Sequence, residues 1–170
     1  FKAETPFAEN RINSWIAAEG NVWVVQIKSS NKEEFADASR IRIGLERYGS
    51  RAFPGWYGGY SKNTTTGLGH TRAKISGKDI ILEESFQGFR FSIVCRAIGE
   101  HVEPKKISSN RVELETESLK DHDVSLLITV VTSNESDNPT RSALELVDHA
   151  QNETVDLLKK KHQTWWTNFW

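Results

Sequence analysis

Apolar and polar positions alternate along most of this chain in the two-residue rhythm of β-strands, and shift to a three-to-four-residue rhythm only near its end. Residues 21–30 carry Val22, Trp23, Val24, Val25 and Ile27, an apolar, β-branched run that predicts a buried strand. Residues 40–48 set Ile41, Ile43 and Leu45 on one side and Arg42 and Glu46 on the other, as in a half-buried antiparallel strand. Further strands are expected at 71–75, 79–86, 89–98, 111–116 and 124–132. Turn signals separate them: Ser76-Gly77-Lys78-Asp79, Gln87-Gly88 and Ser108-Ser109-Asn110. The first two are tight enough for hairpins. Short strands at this spacing predict a mainly β chain, an antiparallel β-sandwich of the supersandwich kind, over residues 1–133.

The rhythm changes after a polar linker, Ser133 to Pro139. Ala143, Leu144, Val147 and Ala150 recur at helical spacing behind a Pro139-Thr140 start signal. Asn152 is expected to cap a second helix, whose Val155, Leu158, His162, Trp165 and Phe169 form one stripe. Lys159, Lys160 and Lys161 fall largely off that stripe and read as a solvated patch. Residues 134–170 are therefore expected to be a linker with amphipathic helices and an aromatic end; that they lead to a missing catalytic domain is what the resemblance given below implies.

Composition narrows the function. Twenty-two basic against 23 acidic residues leave a net charge of −1, which argues against nucleic acid as a partner. No apolar run approaches the roughly 18 residues of a membrane span. The single cysteine, Cys95, has no partner for an internal disulfide. Methionine is absent, and the last six residues, Trp165-Trp166-Thr167-Asn168-Phe169-Trp170, hold four aromatics. Such rings need a surface to bury against. The expectation is a fragment of a longer protein; a terminal helix docked on its own domain is the alternative.

Catalytic signatures are sparse. No phosphate-binding glycine loop occurs, and Gly67-Leu68-Gly69-His70 lacks the third glycine. His122 lies between Asp121 and Asp123, but strand alternation splits those groups between two faces, which suits an exposed strand entrance better than a metal site. Cys95 sits in an apolar strand, where a thiol is inert packing. Glu83 and Glu84 are neighbours in a strand and point to opposite faces, so they cannot flank one glycosidic bond. No catalytic residue, metal ligand or cofactor is assigned.

One loop stands out: Phe53-Pro54-Gly55-Trp56-Tyr57-Gly58-Gly59-Tyr60, followed by the polar Ser61-Lys62-Asn63-Thr64-Thr65-Thr66. Trp56, Tyr57 and Tyr60 are candidate substrate-binding residues, since flat rings with a polar rim suit the apolar faces of sugars. The other reading has these rings pinning a long loop onto the sandwich or onto another domain.

The order strand, linker, alanine- and leucine-bearing helix, then His162-x-x-Trp165-Trp166-x-x-Phe169-Trp170 resembles a junction in certain bacterial glycoside hydrolases. These combine an N-terminal β-sandwich and a linker helix with an (α/α)6 barrel; family 95 and its relatives are similar. The resemblance implies a non-catalytic N-terminal domain bracing the barrel of the same polypeptide. His162, Trp165, Trp166, Phe169 and Trp170 would pack between the domains. The catalytic carboxylates would lie beyond Trp170, the substrate would be an oligo- or polysaccharide, and the Trp56/Tyr57/Tyr60 loop would be the candidate to reach the sugar pocket. A periplasmic or extracellular location in a bacterium is implied in the same way. An autonomous carbohydrate-binding module, or a structural surface β-sandwich, is the competing class.

Overall fold

The structure, a computed structural model, describes residues 1–32, 39–47, 70–86, 88–99 and 101–170. Trp56, Tyr57 and Tyr60, the glycines at 67 and 69, Tyr48 and Gln87 lie outside the described residues. In chain order the elements are β1 (Lys2–Glu4), β2 (Ala8–Ile16), β3 (Trp23–Asn31), β4 (Arg42–Glu46), β5 (His70–Ser76), β6 (Asp79–Phe86), β7 (Phe89–Ile98), β8 (Val102–Lys106), β9 (Arg111–Thr116), β10 (Asp121–Thr132), α1 (Pro139–Gln151) and α2 (Val155–Phe169). The strands form a seven-stranded sheet in the order β1-β2-β3-β10-β7-β6-β5 and a three-stranded sheet in the order β4-β9-β8. Every pairing is antiparallel. The mainly β fold, followed by a C-terminal helical segment, is as the sequence predicts.

The middle of the larger sheet is covered on both faces, which explains the near-continuous apolar runs of its central strands. Along β10, Val124 and Leu126 join an inter-sheet core with Val25, Ile80, Leu82, Cys95, Val112 and Leu114. The alternate residues Leu127 and Val131 join a second core with Trp15, Val24, Ile81 and Val94, closed by Ala143, Val147 and Ala150 of α1 and Leu158 of α2. Gly77, at φ +58°, supplies the left-handed residue that the β5–β6 turn requires. Helix α1 begins where Asn138 accepts a bond from the Arg141 amide at 3.2 Å, with Pro139 in the first turn.

Polar groups on the helix-facing side act as fasteners. Glu83 accepts from Lys74 at 2.6 Å and from Thr140 of α1 at 2.5 Å. Burial pushes its carboxyl up, but those two bonds outweigh burial and hold it below the usual range. Glu84 accepts from Thr71 at 2.5 Å and lies 3.5 Å from the Arg47 guanidinium. The neighbouring carboxylates thus serve opposite faces, as alternation requires.

Three strands exceed the expectation. β1 and β2 occupy the opening residues, where no strand was expected, and β8 adds an edge to the small sheet. Two local readings are also corrected. His122 is buried, with Nε2 3.0 Å from the Ser39 carbonyl oxygen, because its position on β10 turns it inward while Asp121 and Asp123 face out. Asn152 ends α1 rather than starting α2; the α2 cap is Thr154, whose hydroxyl accepts from the Leu157 amide at 3.2 Å.

Candidate functional site

The distinctive surface is the outer part of α2. Its first turns are anchored by Thr154 and by Leu158, which is only 5% exposed in the helix-side core. Toward the end of the helix the large rings lie open: Trp165 45%, Trp166 41%, Phe169 62% and Trp170 88%. The stripe that begins as core therefore continues as a bare aromatic ridge.

The rings support one another. Trp165 stacks on Phe169 at 5.2 Å between centroids, with planes 18° apart. Trp166 stacks on Trp170 at 6.2 Å and 7°, and meets Trp165 edge-on at 5.1 Å. His162 approaches Trp166 edge-on at 6.2 Å. These i, i+4 stacks follow directly from helical spacing and hold the ridge in a defined shape. All five of His162, Trp165, Trp166, Phe169 and Trp170 are brought onto this one end of the helix.

A groove of about 420 Å³ separates the ridge from the β2–β3 turn, lined by Ile16, Ala17, Ala18, Asn21, His162, Trp165 and Trp166. On its other flank, Lys161 pairs with Glu153 at 2.6 Å and lies 3.8 Å from Glu19. The Glu153 bond raises its pKa above the ordinary lysine value. Lys159 lies 5.8 Å from the Trp15 ring centroid, a cation–π placement. Two of the three lysines read as solvated are thus tied to the sheet end, and they steady the helix that carries the ridge.

The arrangement presents apolar area and ring faces rather than reacting groups. Among the described residues no three His, Cys, Asp or Glu side chains converge as a metal site, and no helix is long and apolar enough to cross a membrane. The sequence pointed to the five ridge residues; the groove beside them depends on Ile16 at the end of β2, which no strand signal marked.

The sequence matches no family model and no curated protein. Among solved structures the fold is similar to a "Putative kojibiose phosphorylase from human microbiome", with a TM-score of 0.67 at 14% identity. The match covers 99% of this chain and 22% of that chain, so the fold seen here corresponds to about a fifth of that protein's length.

Proposed function

We propose that this chain is the non-catalytic β-sandwich domain of a larger carbohydrate-active enzyme that cleaves glycosidic bonds. On this reading the α2 ridge docks a helical catalytic domain of the same polypeptide. One observation carries it: nearly the whole chain superposes on a fifth of a protein named as a sugar phosphorylase, while its last turns bear exposed, mutually stacked rings. A freely solvated helix end gains nothing from four large aromatics, whereas an interface core is built from such side chains.

The finer assignment draws on the resemblance of His162 to Trp170 to family 95 and related hydrolases. Hydrolase and phosphorylase act on the same kind of bond and differ in the acceptor, water or phosphate. Bond class is therefore what the two likenesses share. The catalytic carboxyl groups of such an enzyme belong to the catalytic domain, in keeping with the structural roles of Glu83 and Glu84 here.

The test is the sequence encoded past Trp170, followed by assay of the full-length product on glycosidic disaccharides with and without phosphate. Several hundred residues of helical periodicity, and cleavage activity, are expected. A natural chain that stops at Trp170 overturns the proposal, and sugar binding by that chain alone would make it an autonomous module.

A further inference from the structure

Antiparallel strands turn the N–H and C=O of successive residues toward alternate neighbours. In β2 the Ile12 amide and carbonyl both bond Phe1, at 2.8 Å each, so Ile12 faces the β1 side. The Ala17 amide bonds the Val22 carbonyl on the β3 side. Ser14 and Ile16 therefore aim their backbone groups away from β3, at the edge of the larger sheet. β1 pairs with Glu9 to Arg11 and Phe1 with Ile12; among the described residues no backbone bond closes the edge beyond.

Other edges are closed or blunted. β5, at the far side of the same sheet, donates its Ala73 amide to the Ser109 carbonyl at 2.8 Å, and β8 carries Pro104, Lys105 and Lys106. The stretch Asn13-Ser14-Trp15-Ile16 has neither charge nor proline, and Asn13, Ser14 and Ile16 are exposed. Such an edge is a template for a further strand. It ends where the groove begins, since Ile16 lines the groove together with Trp165 and Trp166.

We propose that the free edge of β2 is a strand-addition site for an extended segment of the helical catalytic domain. This inference rests on the docking reading of the α2 ridge and deepens it. Continuity decides the occupant: whatever covers Trp165 and Trp166 already stands over the groove, and Ile16 is the groove's far wall. Main-chain bonds to Ser14 and Ile16 supply the hold. No Asp, Glu, Lys or Arg lines the groove, so the side chain that the segment inserts there is apolar.

Backbone hydrogen exchange of the full-length product tests this. The Ser14 and Ile16 amides should exchange roughly a hundredfold more slowly than open-edge amides, at any protein concentration. Ser14→Pro removes one outward donor without touching a β2–β3 bond, and proline is tolerated at an edge. It should restore fast exchange at Ile16 while Asn13 and Trp15, whose amides face β3, stay protected; Ser14→Ala should change nothing. If the proline unfolds β2, seen as lost protection at Trp15, Ile16→Lys serves instead: it keeps the backbone, sets a charge in the groove and should free the Ser14 amide. Open exchange at Ser14 and Ile16 in a longer product whose Trp165 and Trp166 are shielded from radical oxidation overturns this inference and leaves the docking reading intact. A product that ends at Trp170, or rings that oxidise freely in a longer one, fails the docking reading and this inference with it. Protection that fades on dilution also overturns it and gives the edge to a second copy.

Discussion

Arg96 and Asp79 face each other across β7 and β6 as a two-pronged pair, Nε to Oδ1 at 2.6 Å and the second prong at 2.7 Å. The remaining guanidinium nitrogen reaches α1, donating to Asp148 at 2.7 Å and to Gln151. One side chain thus joins two strands of the larger sheet to the helix above them. Asp79 raises the Arg96 pKa further above its already high ordinary value, so the charge persists at every working pH.

Removing the Asp79 carboxylate takes both prongs from a largely buried guanidinium and leaves it only the α1 partners Asp148 and Gln151. Asp79→Ala should therefore be clearly destabilising in urea unfolding, by less than the roughly 3–5 kcal/mol of a fully uncompensated buried charge, because Asp148 remains. Arg96→Lys keeps the charge but loses the fork, and should fall between the parent and Arg96→Ala. Equal losses for the two Arg96 variants would mean that geometry contributes nothing beyond charge.

Glu115 predicts acid lability. Lys105 first, then Arg40 and Arg42, hold its carboxyl down at about 2, from an ordinary 4.5. A depressed folded-state pKa gives stability that is present above the unfolded value and lost as pH falls toward the folded one. Glu115→Gln should therefore be less stable than the parent at pH 7. The difference should shrink as pH drops from about 4.5 to about 2. Melting curves across that window check it; a gap that is independent of pH would assign the loss to packing.

Cys95 should be silent in the native state. Burial first, then the charge of Asp79, push its thiol up to about 12, and the side chain has no exposure. At pH 8 that leaves a thiolate fraction of about one in ten thousand, before access is considered. A colorimetric thiol reagent should react only as the chain unfolds, so the labelling midpoint in urea should coincide with loss of the β signal. Prompt labelling in buffer would show that the inter-sheet core opens.

The parts of the fold that were legible in the sequence are those whose burial repeats in the chain itself. β6, β7 and β9 have the expected bounds, because two-sided or alternating burial writes apolar residues at fixed intervals. β2 was hidden: in Ala8–Ile16 only Ile12, Trp15 and Ile16 are large and apolar, and its position is set by nine backbone pairs with β3. β8 holds Pro104 and two lysines, a composition tolerated only because the strand lies at the edge of its sheet. His122 misled for a related reason. Its aspartate neighbours face water, and the loop segment that buries its ring, at Ser39, is remote in sequence. The ridge was readable because helical spacing alone stacks Trp165 on Phe169.

The α2 ridge and its anchor should separate in a stability experiment. Leu158 is buried between the sheet and the helix, so Leu158→Ala should cost about 2–4 kcal/mol and loosen α2. Trp166 and Phe169 project into solvent, and changing both to serine should shift stability by no more than about 0.5 kcal/mol per site beyond the loss of their mutual stacking. The same pair of changes should sharply reduce binding of an apolar dye and any concentration-dependent self-association of this 170-residue chain, because the exposed rings are what such probes meet. In the full-length protein the pattern reverses if the ridge is an interface: the two serines would then destabilise the joined domains by several kcal/mol, as truncating a buried aromatic anchor does. Denaturant unfolding of both lengths, with and without the substitutions, separates a docked ridge from a merely exposed one. A double serine variant that is harmless at both lengths would remove the docking role from α2.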